Sequence, residues 1–79
     1  MELWIRSQDK ERLFKINGIY LESEKDKHYI MGFSDDYCWV GHYKTKERAL
    51  EVLDEIQEIL NTFEPKNMAR MIVYEMPEE

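Results

Sequence analysis

Thr45-Lys46-Glu47-Arg48-Ala49-Leu50-Glu51-Val52-Leu53-Asp54-Glu55-Ile56-Gln57-Glu58-Ile59-Leu60-Asn61-Thr62-Phe63 is the stretch that decides the fold class. Ala49, Val52, Leu53, Ile56, Ile59, Leu60 and Phe63 recur at helical spacing. Glu51, Asp54, Glu55, Gln57, Glu58 and Asn61 fill the opposite side. One apolar stripe against one charged face is the pattern of a surface helix that packs on a core. Thr45 stands at the N-cap, where its hydroxyl can accept a backbone N–H of the first turn. Glu47 follows where the helix dipole favours an acid. Arg48 occupies the position of a capping-box glutamate, so the box is absent. Pro65 stops the helix.

Upstream of the helix, the apolar residues alternate instead. Leu3-Trp4-Ile5-Arg6 reads as a short strand, ended by the polar turn Ser7-Gln8-Asp9-Lys10. Arg12 to Ser23 reads as a second strand that Asn17-Gly18 interrupts; a β-bulge there is preferred to a tight turn, which would leave two very short strands. Glu22 to Lys27 is a charged hairpin loop. His28 to Phe33 is a third strand, Ser34-Asp35-Asp36 a turn, and Tyr37 to Tyr43 a fourth strand. In that fourth strand Tyr37, Trp39 and Tyr43 are expected to point one way, Cys38 and Val40 the other. Met71 to Met76 follows the helix as a last strand. The order β-β-β-β-α-β defines an α+β domain, a mostly antiparallel sheet with one amphipathic helix on one face. Residues 1–79 form a single domain. One helix covers one face only, while the strands are bulky in both phases, so the chain is expected to gain its missing burial as a homo-oligomer.

Composition narrows the function classes. The chain is 43% hydrophobic, enough to collapse, and carries a formal net charge of −6, which opposes general binding of DNA. Residues 1–46 hold as many acids as bases, so the whole negative excess falls in residues 47–79. No apolar run is long enough for a membrane span or a secretory h-region. Cys38 has no partner for an internal disulfide, which fits a reducing cytoplasm.

Catalytic chemistry finds little to build on. Cys38 and His42, if on one strand face, stand four residues apart, roughly 13 Å at strand rise, too far for a nucleophile–base pair. Two histidines and one cysteine give no zinc spacing, and the isolated Gly18, Gly32 and Gly41 form no phosphate loop. The residues better suited to binding are Trp4, Arg6, Gln8 and Lys10 around the end of the first strand. With them go Tyr43, Lys44, Thr45, Lys46 and Arg48 at the helix start, and Arg70 near the last strand. A helix start presents unpaired N–H groups and partial positive charge to an anion, and an aromatic ring beside it gives a base a surface to stack on. The plainer alternative is a capped helix with solvated lysines.

Leu3-Trp4-Ile5-Arg6-Ser7-Gln8-Asp9-Lys10 and Tyr43-Lys44-Thr45-Lys46-Glu47-Arg48-Ala49-Leu50-Glu51-Val52-Leu53-Asp54-Glu55-Ile56-Gln57, with Tyr74-Glu75-Met76-Pro77, resemble small proteins of Firmicutes phages and prophages. The element order is also similar to that of anti-Thoeris phage proteins. That resemblance implies an oligomeric sponge in the cytoplasm of an infected bacterium. Such a sponge binds a cyclic nucleotide or cyclic ADP-ribose-type immune signal without cleaving it and needs no cofactor. The competing readings are a protein-interaction module that caps a host protein with its acidic helix, and a small enzyme.

Overall fold

The computed structural model describes residues 2–62 and 71–79. Along the chain run β1 (Glu2–Arg6), β2 (Leu13–Ile16), β3 (Gly18–Glu24), β4 (Lys27–Phe33), β5 (Tyr37–Tyr43), α1 (Lys46–Thr62) and β6 (Met71–Glu75). The class is α+β, with two three-stranded sheets where one was expected. The first has the order β2-β1-β6, with β2 antiparallel and β6 parallel to β1; the second is the antiparallel meander β3-β4-β5. Phe63 and Pro65, read as the end of the helix, and Arg70 lie outside the described residues.

The two sheets arise where the sequence suggested a bulge. Asn17 separates β2 from β3, and its N–H donates to the Phe33 carbonyl at 2.7 Å. The chain therefore leaves one sheet and enters the other without reversing. Ile16 is buried and Asn17 exposed at this crossing. The expected loop at Glu22 to Lys27 is also shorter than read. β3 and β4 pair as far as Glu24 opposite Lys27, so only Lys25 and Asp26 make the turn, with Lys25 at φ 56°. A positive φ at the first turn residue matches the right-handed twist of the hairpin.

The bulge lies in β5. Ile30 pairs with Gly41 but Met31 with Trp39, so Val40 is the extra residue. Its carbonyl turns to the first sheet and accepts the Gln8 N–H at 2.7 Å. The extra residue also shifts the side-chain alternation. Val40 and Tyr43 both point inward, contrary to the expected phase, while Tyr37, Trp39 and His42 share the outer face. Cys38 and His42 consequently stand on opposite faces.

Both sheets and the helix feed one core: Ile5 and Ile16 from the first sheet, Ile30, Val40 and Tyr43 from the second, and Ala49, Val52 and Ile56 from α1, with Tyr74 and Met76 closing it. The helix packs across β3, β4 and β5. Its expected apolar stripe is the buried one, and Leu53, Ile59 and Leu60 pack beside it. Gly32 of the second sheet faces Ile16 and Phe14 of the first. A Cβ there would meet Ile16 Cγ2 at 3.1 Å. Among the described residues no helix is long and apolar enough to cross a membrane.

Candidate functional site

The turn from β5 into α1 is built as the sequence suggests. Thr45 Oγ1 accepts the Arg48 N–H at 3.1 Å and the Thr45 carbonyl accepts the Ala49 N–H at 3.2 Å. Among the described residues this leaves the N–H groups of Lys46 and Glu47 without a backbone or side-chain acceptor, as expected for the first turn of a helix. Beside this start is a pocket of about 280 Å³ lined by Gln8, His42, Tyr43, Lys44, Thr45, Arg48, Glu78 and Glu79. Five of the residues expected to bind a ligand therefore line one cavity: Gln8, Tyr43, Lys44, Thr45 and Arg48.

Their roles differ from the expectation. The Gln8 side chain works as a substitute strand along the edge of β5. Its Oε1 accepts the His42 N–H at 2.9 Å, and its Nε2 donates to the His42 carbonyl at 3.0 Å. The same amide reaches the carbonyls of Pro77 and Glu78 at 3.1 and 2.9 Å, so Gln8 ties the segment after β6 to β5. Tyr43, expected as a stacking surface, is only 3% exposed. Its hydroxyl donates to the Pro77 carbonyl at 2.9 Å, and the Arg48 guanidinium carbon lies 5.9 Å from its ring centre. Burial pushes the Tyr43 hydroxyl up to about 12, with Arg48 opposing the rise and Glu55 adding to it. The phenol stays neutral at any physiological pH.

Arg48 is partly engaged. Nε donates to the Glu79 carbonyl at 2.9 Å, and Nη1 approaches Glu51 Oε1 at 3.2 Å. Both acceptors hold the guanidinium beside the pocket and leave its remaining donors for a ligand. Lys44 lines the cavity and Lys46 does not; neither makes an ion pair among the described residues. Glu78 and Glu79 bring acid to the same rim, and Lys10 draws Glu78 aside through an ion pair of 3.2 Å.

Trp4, Arg6 and Lys10 are not brought into this cavity. β1 lies between β2 and β6, so Trp4 faces outward between Lys15 and Val73, with its Nε1–H donating to Glu2 at 3.1 Å. Arg6 Nη1 donates to the Lys10 carbonyl at 2.9 Å, bracing a turn in which Lys10 takes φ 67°. Lys10 itself pairs with Glu75 and Glu78. Arg70 lies outside the described residues. The residue that sequence reasoning passed over is His42. It lines the cavity and also packs against Tyr29 and Trp39, at centroid distances of 6.2 and 6.0 Å. Strict alternation places His42 inward; only the bulge at Val40 turns it out.

Among the described residues no three His, Cys, Asp or Glu side chains come together to hold a metal ion. Cys38 Sγ accepts a hydrogen bond from Arg12 at 3.4 Å. No protein-family model matches the sequence, no curated protein is detectably similar to it, and no solved structure matches its fold.

Proposed function

We propose that the protein is a phage anti-defence protein that binds and sequesters a cyclic nucleotide immune signal, of the cyclic ADP-ribose type, in the cytoplasm of an infected bacterium. The observation that carries this reading is the convergence of Lys44 and Arg48 on one cavity at the capped start of α1, with His42 also in its lining. A phosphate suits this end of the helix, since two cations and the positive end of the helix dipole act together on one anion. A base suits His42, whose ring is backed by Tyr29 and Trp39 and so held in place. At about 280 Å³ the cavity is at the small end of ligand pockets. It takes one phosphate with its neighbouring sugar or base, and the rest of the ligand lies along the rim. The phage and sponge resemblances of the sequence supply the biological class.

The test is a thermal shift with cyclic ADP-ribose and cyclic dinucleotides, followed by recovery of the ligand from denatured protein. At a hundredfold excess over Kd, binding adds about 2.7 kcal/mol, or roughly 10–20 °C in Tm for a domain of this size. Arg48→Ala and Lys44→Ala each weaken binding by about tenfold to a hundredfold, the loss of one charge-assisted contact. Recovered ligand that is intact supports sequestration, and cleaved ligand makes the protein an enzyme. No shift with any of these probes leaves the alternative, an inhibitory module whose acidic helix face (Glu51, Asp54, Glu55, Glu58) docks on a host protein.

A further inference from the structure

We infer that the outer face of β3-β4-β5 is the docking surface for a second copy of this chain, arranged about a two-fold axis that runs parallel to the strands over β4. This inference shares His42 with the proposed ligand pocket, and its test is run without ligand.

The face is apolar and open. Across it run three rows set by the strand register: Gly18–Phe33–Tyr37, Tyr20–Met31–Trp39 and Glu22–Tyr29–His42. Tyr37 is 62% exposed, Tyr20 39% and Phe33 37%. The rings pack on one another, Tyr20 against Tyr37 at 6.0 Å and Phe33 against Tyr37 at 5.0 Å, so the surface is already ordered before anything covers it. Few rotamers would be lost on docking.

Charge decides what the face accepts. Its β3 edge carries Glu22 and Glu24 in the outward phase, with Lys27 of β4 paired to Glu24 at the hairpin end. Its β5 edge carries Arg12 and His42. The Arg12 guanidinium lies 5.6 Å from the Trp39 ring centre and is anchored by Nη2 on the Trp39 carbonyl at 2.9 Å. A two-fold axis along β4 lays the β3 edge of one copy over the β5 edge of the other at the same height. Glu22 then meets the second copy's His42 and Arg12, Tyr20 meets its Trp39, and Met31 meets its own counterpart. An axis perpendicular to the strands, over the row of Met31, instead lays β3 over β3 in reverse, so Glu22 falls over the second copy's Gly18 and His42 over its Tyr37, and neither charge meets a partner. The first operator sets Glu22 against the cations of the second copy's β5 edge, the complementarity that an isologous interface uses. A nucleic-acid strand, the other natural occupant of an aromatic sheet face, would meet Glu22 and Glu24 on a chain of net charge −6. With sheet spacing of about 4.8 Å and a strand rise of about 3.3 Å the face is only about 14 by 20 Å, so the dimer belongs to the small, weak and reversible interfaces.

Sedimentation equilibrium of the full chain, from low micromolar to millimolar concentration, tests this. The wild type is a reversible dimer. Met31→Lys sets two like charges together on the axis and abolishes it, with circular dichroism confirming the fold. Glu22→Lys and Arg12→Glu each raise Kd several-fold, and the double exchange restores it. A wild-type monomer at every concentration overturns the inference. So does a dimer indifferent to Met31→Lys but lost in Val73→Lys on the outer face of the first sheet. A wild type that stays monomeric and binds an oligonucleotide through Trp39 overturns it in favour of nucleic acid.

Discussion

The two faces of β3-β4-β5 are made from the same residue classes and meet opposite fates. On the inner face Ile30 and Val40 are fully buried and Tyr43 is 3% exposed, under a helix and against the first sheet. On the outer face Tyr37, one strand-length from Tyr43 in β5, is 62% exposed. Residue type does not separate the two tyrosines. What separates them is the extra residue at Val40, which reverses the alternation between them. The inner face therefore holds the monomer together, and the outer face is left exposed.

The largest expected effect sets these faces against each other. Ile30→Ala removes a fully buried side chain from the centre of the core and is expected to cost about 2–5 kcal/mol in chemical denaturation. Tyr37→Ser on the outer face is expected to change monomer stability by no more than about 0.5 kcal/mol. Equal losses would mean that the outer face is already part of the folded monomer's core.

A second effect appears only at high pH. Burial holds the Tyr43 hydroxyl at about 12, above its ordinary value of 10.0. The buried Tyr74, whose hydroxyl donates to Glu55 Oε1 at 2.9 Å, is raised in the same direction by burial first and by Glu55 next. A group whose proton is held more tightly in the folded state contributes stability below its unfolded pKa and loses it as pH rises toward the folded value. The protein is thus expected to lose stability between pH 10 and 12, by about 2–3 kcal/mol for Tyr43. Tyr43→Phe should flatten that decline in pH-dependent melting. A decline that Tyr43→Phe leaves unaltered would mean that burial on the inner face does not hold this proton.

The smallest effect concerns the helix that makes the inner face an inside. Thr45→Ala removes the cap on the Arg48 N–H and is expected to cost about 1 kcal/mol in Tm-derived stability. A loss confined to Tm, with ligand affinity kept, assigns Thr45 to the fold. A loss of affinity beyond that assigns it to the pocket as well.

Much of this was legible in the residues. The spacing from Ala49 to Leu60, with Thr45 before it, specifies a capped amphipathic helix because helical period and capping are local properties. The limits of β5 were readable from Tyr37 to Tyr43, and the hairpin nature of β3 and β4 from the charged turn between them. The gathering of Lys44, Thr45 and Arg48 was also legible, since neighbours at a helix start stay neighbours in any fold. Gln8 was found for the wrong reason: its position near the site could be guessed, but its service to the backbone of His42 depends on a strand 34 residues away.

The amino-acid sequence by itself determined the α+β class, the capped helix ahead of a last strand and the presence of more apolar surface than one helix can cover. Tertiary structure alone decided that Asn17 divides two sheets and that β6 closes against β1 in parallel. It also decided that Val40 bulges, which buries Tyr43 and exposes His42. The division follows from range. Period, capping and turn chemistry act over a few residues and are written into the chain locally. Strand partnership and register are settled by which distant apolar faces can be buried together, and one inserted residue in a strand inverts every side chain beyond it.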